Sequence, residues 1–119
     1  MPDFKENFTF ISAAPIPPDH VDRVALVRSV SAFHAVVPLV RFRTHQTAPG
    51  VFSYLFEAVD GRVWTQTIDF SASTSDPALT FSVPAGWKLS EFAFQRPIRD
   101  LVVRLIPAFG ATEIKMVYP

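Results

Sequence analysis

The sequence predicts an all-β protein, specifically an antiparallel β-sandwich of jelly-roll type with about eight strands. The first observation is that 11 Pro residues divide the 119-residue chain into short pieces, and Pro is disfavoured inside helices and central strands. The second is that these pieces are rich in Val, Phe, Ile and Thr, which suit pleated surfaces. The third is the pair Asp60-Gly61 between two such pieces, which is typical of a β-hairpin. Short strands separated by turns are typical of a sandwich or barrel.

Length and composition predict one folded domain over residues 1–119, with residues 1–7 as an N-terminal extension. Hydrophobic residues make up 49% and charged residues 18% of the chain, which argues against disorder. The zero formal net charge provides no basic surface for nucleic acid, and the absence of Cys excludes disulfides. We expect no membrane partner, because the apolar runs are far shorter than the ~20 residues of a membrane-spanning helix. Cytoplasm is the default expectation for location, with a secreted or excised domain left open.

The predicted strands follow one another along the whole chain. Segments 71–77 and 83–87 are predicted to be loops because of their composition. The predicted strands are 8–12, 24–31, 37–44, 51–59, 62–70, 79–83, 91–94, 101–106 and 113–118.

Two segments also fit a helix, and the choice between strand and helix stays open for both. In 19–33, Asp19 can cap a helix that has Val21, Val24, Ala25 and Arg28 on one face. In 97–106, Pro97 can be the first helical residue, and the apolar residues fit both periods. We favour strands in both segments, because the neighbouring segments are β-prone.

The hairpin around Asp60-Gly61 is predicted to have a two-residue type I′ loop, which sets the register of its strands. In this register Glu57 faces Trp64, and the alternation of side chains places them on the face opposite Phe56. The face of Phe56 is predicted to be core. It also holds Phe52 and Tyr54.

A Trp ring among planar polar groups is typical of sugar recognition. The ring stacks on the apolar face of a pyranose, while carboxylate, amide and guanidinium groups bind its hydroxyls. We therefore predict a ligand site at Trp64 with Glu57, Arg62 and Gln66. The alternative left open is that a neighbouring strand or loop buries Trp64.

Two further positions are candidate ligand contacts. Arg41, Arg43 and His45 alternate along one strand, where planar cations suit phosphate or carboxylate groups. Trp87 lies in a predicted loop and can clamp a ligand there. The alternatives are a solvated strand face paired with neighbouring acidic residues, and a Trp that covers the end of the core.

No catalytic or metal-binding pattern stands out, so we expect a protein that is not an enzyme and has no cofactor. His20, His34 and His45 lack the spacing of metal ligands. Glu57 and Asp69 fall on opposite faces in the predicted register, which excludes them as the paired carboxylates of a glycosidase. The sequence also lacks a nucleophile elbow and a Gly-rich phosphate loop.

The stretches "LTFSVPAGWKLSEFAFQRPIRDLVVRLIP" and "ATEIKMVYP" resemble the second half of a galactose-binding-like jelly-roll module. That group includes many carbohydrate-binding modules. The resemblance lies in the succession of strands over about the last 80 residues, and it implies a jelly-roll fold and non-catalytic sugar binding by analogy. It assigns a role to no individual residue.

These observations predict a non-catalytic carbohydrate-binding or recognition module whose partner is a sugar or another small polar ligand. The alternative is a structural or assembly domain that contacts a partner protein or a second copy of itself. The mean hydropathy of +0.23 favours that alternative, because excess apolar surface commonly marks an interface.

Overall fold

The protein is described by a computed structural model that covers residues 4–69, 83 and 85–118. Within these residues the chain combines strands and helices in an α+β arrangement. In chain order the elements are a 3₁₀ helix (Phe4–Asn7), β1 (Phe8–Ser12), α1 (Val21–Val36), β2 (Leu39–Ala48), β3 (Val51–Ala58), β4 (Val63–Asp69), α2 (Leu89–Phe109) and β5 (Ala111–Val117).

The five strands of the described region form one antiparallel sheet in the order β1-β5-β2-β3-β4. Helices α1 and α2 pack against each other and cover one face of this sheet. The predicted all-β jelly-roll sandwich of about eight strands is therefore wrong, because a layer of helices stands where a second sheet was expected. Both β1 and β2 are antiparallel to β5, so they run parallel to each other, and α1 is the crossover that connects them.

Helix α1 occupies a segment whose centre, 24–31, was predicted to be a strand, and that prediction is wrong. Leu26, Val30 and Phe33 are fully buried at the spacing of one helix face. Burial of this face outweighs the strand preference of Val, because the whole scale of strand preference spans only about 1 kcal/mol. The helix ends just before Pro38, which disfavours helical backbone in the preceding residue.

Helix α2 replaces the strands predicted at 91–94 and 101–106, and it contains Pro97 and Pro107. A Pro in a helix interior removes one backbone hydrogen bond and costs about 3 kcal/mol. Both Pro residues are exposed, and the helix continues through them because its inner face is buried along its whole length. Gly110 then ends the helix with a φ of 59°, a left-handed conformation that favours Gly. The buried face contains Glu91, Gln95, Ile98, Val102 and Leu105.

The turn between β3 and β4 is one residue longer than predicted. The Gly61 N–H donates to the Ala58 carbonyl at 3.1 Å, and the Ala58 N–H donates to the Arg62 carbonyl at 2.9 Å. Gly61 has a φ of 92°, whereas no described residue other than Gly has a positive φ. This is the pattern of a type I turn followed by a left-handed Gly, and it excludes the type I′ loop, in which Asp60 would also need a positive φ.

The longer turn shifts the register by one residue. Phe56 pairs with Trp64, and Glu57 pairs with Val63, so the predicted pairing of Glu57 with Trp64 is wrong. Because side chains alternate along a strand, a shift of one residue moves every side chain of β4 to the other face. Trp64 therefore faces the helices and is only 1% exposed.

The remaining strands match their predictions closely. β1 has the predicted bounds, and the other four differ at their ends by one to four residues. The predicted loop 71–77 and, except for its last residue, the predicted strand 79–83 lie outside the described residues. The predicted core face is confirmed on β3, where Phe52, Tyr54 and Phe56 are buried, and Phe42 on β2 is buried beside them. On β4 the prediction is wrong, because Val63, Thr65 and Thr67, which the predicted register placed on the same face, are exposed.

We expect Phe56→Ala to lower the free energy of unfolding by about 3–5 kcal/mol, because it removes buried surface and leaves a cavity. Phe56 contacts the rings of Phe33 on α1 and Phe42 on β2. The matched control is Leu55→Ala, one residue away on the half-buried outer face, which should have a clearly smaller effect. Urea denaturation of both variants measures the difference, and equal effects would contradict the face assignment.

Candidate functional site

The predicted sugar-binding residues are separated by the observed register. Trp64 is buried among aromatic rings, with ring centroids 5.1 Å from Trp87 and 6.4 Å from Phe92. Gln66 lies on the same face as Trp64 and is half-buried near Tyr54 and Gln95. Glu57 projects from the other face of the sheet. The structure therefore does not bring this group together around one ligand.

Arg62 connects the β3–β4 turn to the start of α2. Its Nη1 lies 3.1 Å from Glu91 Oε1 and donates to the Gly86 carbonyl at 3.2 Å, while its Nε donates to Asp60 at 2.9 Å. The guanidinium also lies 4.6 Å from the centre of the Trp87 ring, within the range of a cation–π contact. Arg62 thus directs its Nε and Nη1 donors to the protein itself.

Trp87 is buried against the sheet, which corresponds to the alternative that it covers the core. Its indole N–H donates to the Val63 carbonyl at 3.3 Å. Glu91 accepts the Lys88 N–H at 2.7 Å and so satisfies one of the N–H groups left without a partner at the start of α2. Together, Arg62, Trp87 and Glu91 join the hairpin to this helix, and we name these three residues the turn–helix clasp.

The carboxyl group of Glu91 has a lowered pKa. Burial opposes ionisation and raises it, but the hydrogen bond from the Lys88 backbone and the hydrogen bond and charge of Arg62 outweigh burial. The ionised form of Glu91 is therefore more stable, relative to the protonated form, in the folded state than in the unfolded state. This contribution to stability is present at neutral pH and is lost when the pH falls below the ordinary range of a Glu.

Arg41, Arg43 and His45 lie together on the face of the sheet opposite the helices, and each contacts a neighbouring residue. Arg43 forms an ion pair with Glu113 at 3.2 Å, and Arg41 lies 3.9 Å from Glu57. His45 lies 2.9 Å from Ser53. These contacts correspond to the alternative of a solvated face paired with acidic residues, and exposed pairs of this kind contribute little to stability.

Ser53, His45 and Glu113 stand side by side across three strands, an arrangement that resembles a nucleophilic triad in composition. The Ser53 Oγ is closest to the Nδ1 of His45, at 2.9 Å. The carboxylate of Glu113 is directed to Arg43 at 3.2 Å and to Lys115 at 3.6 Å. We assign this row to cross-strand pairing, because a triad needs its acid to orient the His ring.

A further concave surface of the described residues lies between β1 and α1. It is a groove with a volume of about 560 Å³, which is within the range of ligand sites. Its floor is apolar, and one wall is provided by the outward side of α1. The residues that line it are Phe4, Lys5, Glu6, Phe8, Phe10, Pro18, Arg23, Val24, Val27, Arg28 and Ser31. We name it the β1–α1 groove.

The aromatic floor of the β1–α1 groove is continuous with the core. The ring centroid of Phe8 lies 5.7 Å from Phe4, 6.1 Å from Phe10 and 6.3 Å from Phe42. Phe4 belongs to the predicted N-terminal extension, and it packs against His34 at a centroid distance of 5.2 Å. The floor is therefore anchored at the end where β1 begins.

At that end of the groove, His34 packs as a neutral imidazole ring. Its Nδ1 accepts the Leu39 N–H at 2.8 Å, and its ring packs against Tyr118 at 4.6 Å. Burial lowers the pKa of His34, which keeps Nδ1 available as an acceptor. The floor therefore rests on a group that is uncharged at neutral pH.

Beside the groove, β1 forms an edge of the sheet and pairs, among the described residues, with β5 alone. In an antiparallel pair, alternate residues direct their N–H and C=O groups to the neighbouring strand, and the residues between direct theirs away from it. The side chains of Phe8 and Phe10 face the groove, while Thr9 faces the opposite side. The groove thus combines an apolar floor with outward-directed backbone groups.

Sequence reasoning did not find this groove, because one of its walls was predicted to be a strand. Val24 and Arg28 share the outer face of α1 with Val27 and Ser31, and their spacing of three or four residues is the signal for that face. The helix alternative for 19–33 placed Val24 and Arg28 together on one side. It did not indicate that this side lies beside an edge strand.

Two features are absent from the described residues. Within 4–69, 83 and 85–118, no three His, Asp or Glu side chains cluster so that they could hold a metal ion. Neither helix in the same part of the chain is long and apolar enough to cross a bilayer.

Comparison with known proteins found no match among family models, curated proteins or solved structures.

We expect Trp64→Ala to lower the free energy of unfolding by about 3–5 kcal/mol, because the ring is buried. An exposed binding platform would instead leave the melting temperature nearly unchanged. Thermal unfolding of the variant distinguishes the two cases. A melting temperature equal to that of the wild type would contradict the observed register.

We expect Glu91→Gln to destabilise the protein at neutral pH and to reduce the loss of stability on acidification. The ionised carboxylate stabilises the fold above the ordinary pKa of Glu, about 4.3, and this stabilisation disappears as the pH falls through the lower pKa of the folded state. Some pH dependence should remain, because the hydrogen bond from the Arg62 N–H also lowers the pKa of Asp60.

Urea denaturation between about pH 7 and pH 3 measures this effect. The control is Glu6→Gln, which removes an exposed carboxyl group outside the turn–helix clasp, so that the effect of the clasp is the difference between the two variants. Identical pH profiles for Glu91→Gln and the wild type would show that the clasp does not depend on the charge of Glu91.

Proposed function

We propose that this chain is a protein-recognition domain that binds an extended segment of a partner protein in the β1–α1 groove. The observation that carries the proposal is the position of an edge strand beside an apolar groove of about 560 Å³. Of the two functions predicted from the sequence, this is a form of the alternative one, in which the domain makes protein contacts.

The binding mode is the addition of a strand to the sheet. A partner segment beside β1 can exchange backbone hydrogen bonds with the residues whose N–H and C=O groups point away from β5. These bonds provide affinity for any extended segment. Specificity comes from the alternate side chains of the segment, which enter the groove.

The floor of the groove suits an apolar side chain. Phe8 and Phe10 face the groove from β1, and Val24 and Val27 face it from α1. Burial of an apolar side chain there is favourable by about 25 cal/mol for each Å² removed from water. An extended segment places every second side chain on this floor, because side chains alternate along a strand.

The sugar-binding function is not proposed, because its central ring is not at the surface. A Trp that stacks on a sugar must present one face to solvent, and Trp64 is 1% exposed. Arg62, which was predicted to bind the sugar beside Trp64, and Trp87, which was predicted to clamp a ligand, contact each other in the turn–helix clasp. The β1–α1 groove offers apolar contacts and backbone groups instead.

We expect selection from a phage-displayed random peptide library on the immobilised chain to enrich peptides that bind in the groove. Val24→Trp should abolish their binding, since Val24 lines the groove and is 38% exposed, so that the larger ring fills the groove without disturbing the core. The matched control is Val21→Trp. Val21 lies on the same helix, is 74% exposed and does not line the groove, so binding should be retained.

A scan of N-methylated peptides tests whether a strand is added. Methylation of a backbone N–H that donates to β1 should abolish binding, whereas methylation of the next N–H should not, which gives a period of two. Binding to Val24→Trp as strong as to the wild type, or the absence of this period, would overturn the proposal. Displacement of every selected peptide by decanoate, with no effect of N-methylation, would assign the groove to a small amphipathic ligand and would overturn it as well.

A further inference from the structure

The charged residues of the β1–α1 groove have an excess of one sign. Lys5, Arg23 and Arg28 are basic, whereas Glu6 is the one acidic residue among the described residues that line the groove. The chain as a whole has no net charge. The positive sign is therefore a local property of this surface.

Arg23 is held in position at the end of the floor where β1 ends. Its Nη1 donates to the Ile16 carbonyl at 2.6 Å, and its guanidinium carbon lies 4.3 Å from the centre of the Phe10 ring. Asp22, the adjacent acid, is directed instead to Arg104 on α2 at 3.5 Å. The guanidinium of Arg23 keeps further N–H donors, since a guanidinium has five in total.

Arg28 stands one and a half turns further along α1 and is exposed. Within the described part of the chain, neither Arg23 nor Arg28 forms an ion pair with an acidic side chain. Five residues of helix separate them by about 7.5 Å along the axis and by about 140° around it. Both side chains nevertheless line the β1–α1 groove.

We propose that the segment bound by the β1–α1 groove is acidic, with one carboxylate that binds Arg23 and another that binds Arg28. Guanidinium groups bind carboxylates through paired, charge-assisted hydrogen bonds. An apolar side chain of the same segment contacts the floor formed by Phe8 and Phe10. This inference rests on the proposed function, because it specifies the chemistry of the segment that the edge strand binds.

The test uses the tightest peptide from the library selection and a second version in which each Glu or Asp is replaced by Gln or Asn. We expect acidic peptides to be enriched, and the neutral version to bind about tenfold or more weakly, the magnitude of one charge-assisted hydrogen bond. Fluorescence anisotropy measures both affinities. The affinity of the acidic peptide should also fall from roughly 0.05 to roughly 0.5 M NaCl, because salt screens exposed charges.

The protein variants are Arg28→Glu and its matched control Arg96→Glu. Arg28→Glu should weaken the binding of the acidic peptide about tenfold or more. Arg96 is exposed on α2 and does not line the groove, so reversal of its charge should leave the affinity unchanged. Both positions are exposed, and circular dichroism checks that the two variants fold alike.

The outcomes separate the two proposals. Selected peptides that are neutral or basic, or an unchanged affinity for Arg28→Glu, would overturn the acidic segment, while continued sensitivity to Val24→Trp would leave the recognition function in place. If no selected peptide is sensitive to Val24→Trp, both proposals are overturned. Equal losses with Arg28→Glu and Arg96→Glu would indicate a general charge effect and would also overturn the inference.

Discussion

The left-handed backbone of Gly61 is the constraint on which the packing of β4 and α2 depends. It makes the β3–β4 turn a three-residue loop, and that loop pairs Phe56 with Trp64. The Trp64 ring then faces inward, where Trp87 and Phe92 pack against it. Because Arg62 directly follows Gly61, the same turn directs its guanidinium to Glu91 at the start of α2. The backbone conformation of Gly61 thus determines both the inward orientation of Trp64 and the position of Arg62 in the turn–helix clasp.

The core forms on one side of the sheet, and each helix buries one of its faces there. An antiparallel sheet can leave one face in water when the other is packed. Here, Phe33 from α1 packs on Phe56 from the middle of the sheet, and α2 lies beside it. The buried face of α2 extends past Pro97 and Pro107, so tertiary packing offsets two local breaks in its hydrogen bonding.

The β1–α1 groove is a consequence of the strand order. β5 is inserted between β1 and β2, so α1 must pass over β5 to connect them, and β1 is left at the edge. Leu26 and Val30 on α1 are buried in the core, while Val24 and Val27 on its outer side line the groove with the rings of β1. A short edge strand beside a helix therefore combines an apolar floor with backbone groups that pair with no other described strand, and both properties favour an extended partner segment.

The sequence by itself determined the strands around the hairpin, the bounds of β1 and the aromatic core face of Phe52, Tyr54 and Phe56, because local alternation and turn residues carry that information. It also placed Arg41 and Arg43 on one solvated face. It did not determine the helices, because Val-rich segments fit both periods, and burial of a helix face outweighs local strand preference. Only the tertiary structure decided the face of Trp64, since one residue of turn length reverses it. The groove likewise exists only in three dimensions, where the order of the strands brings β1 beside α1.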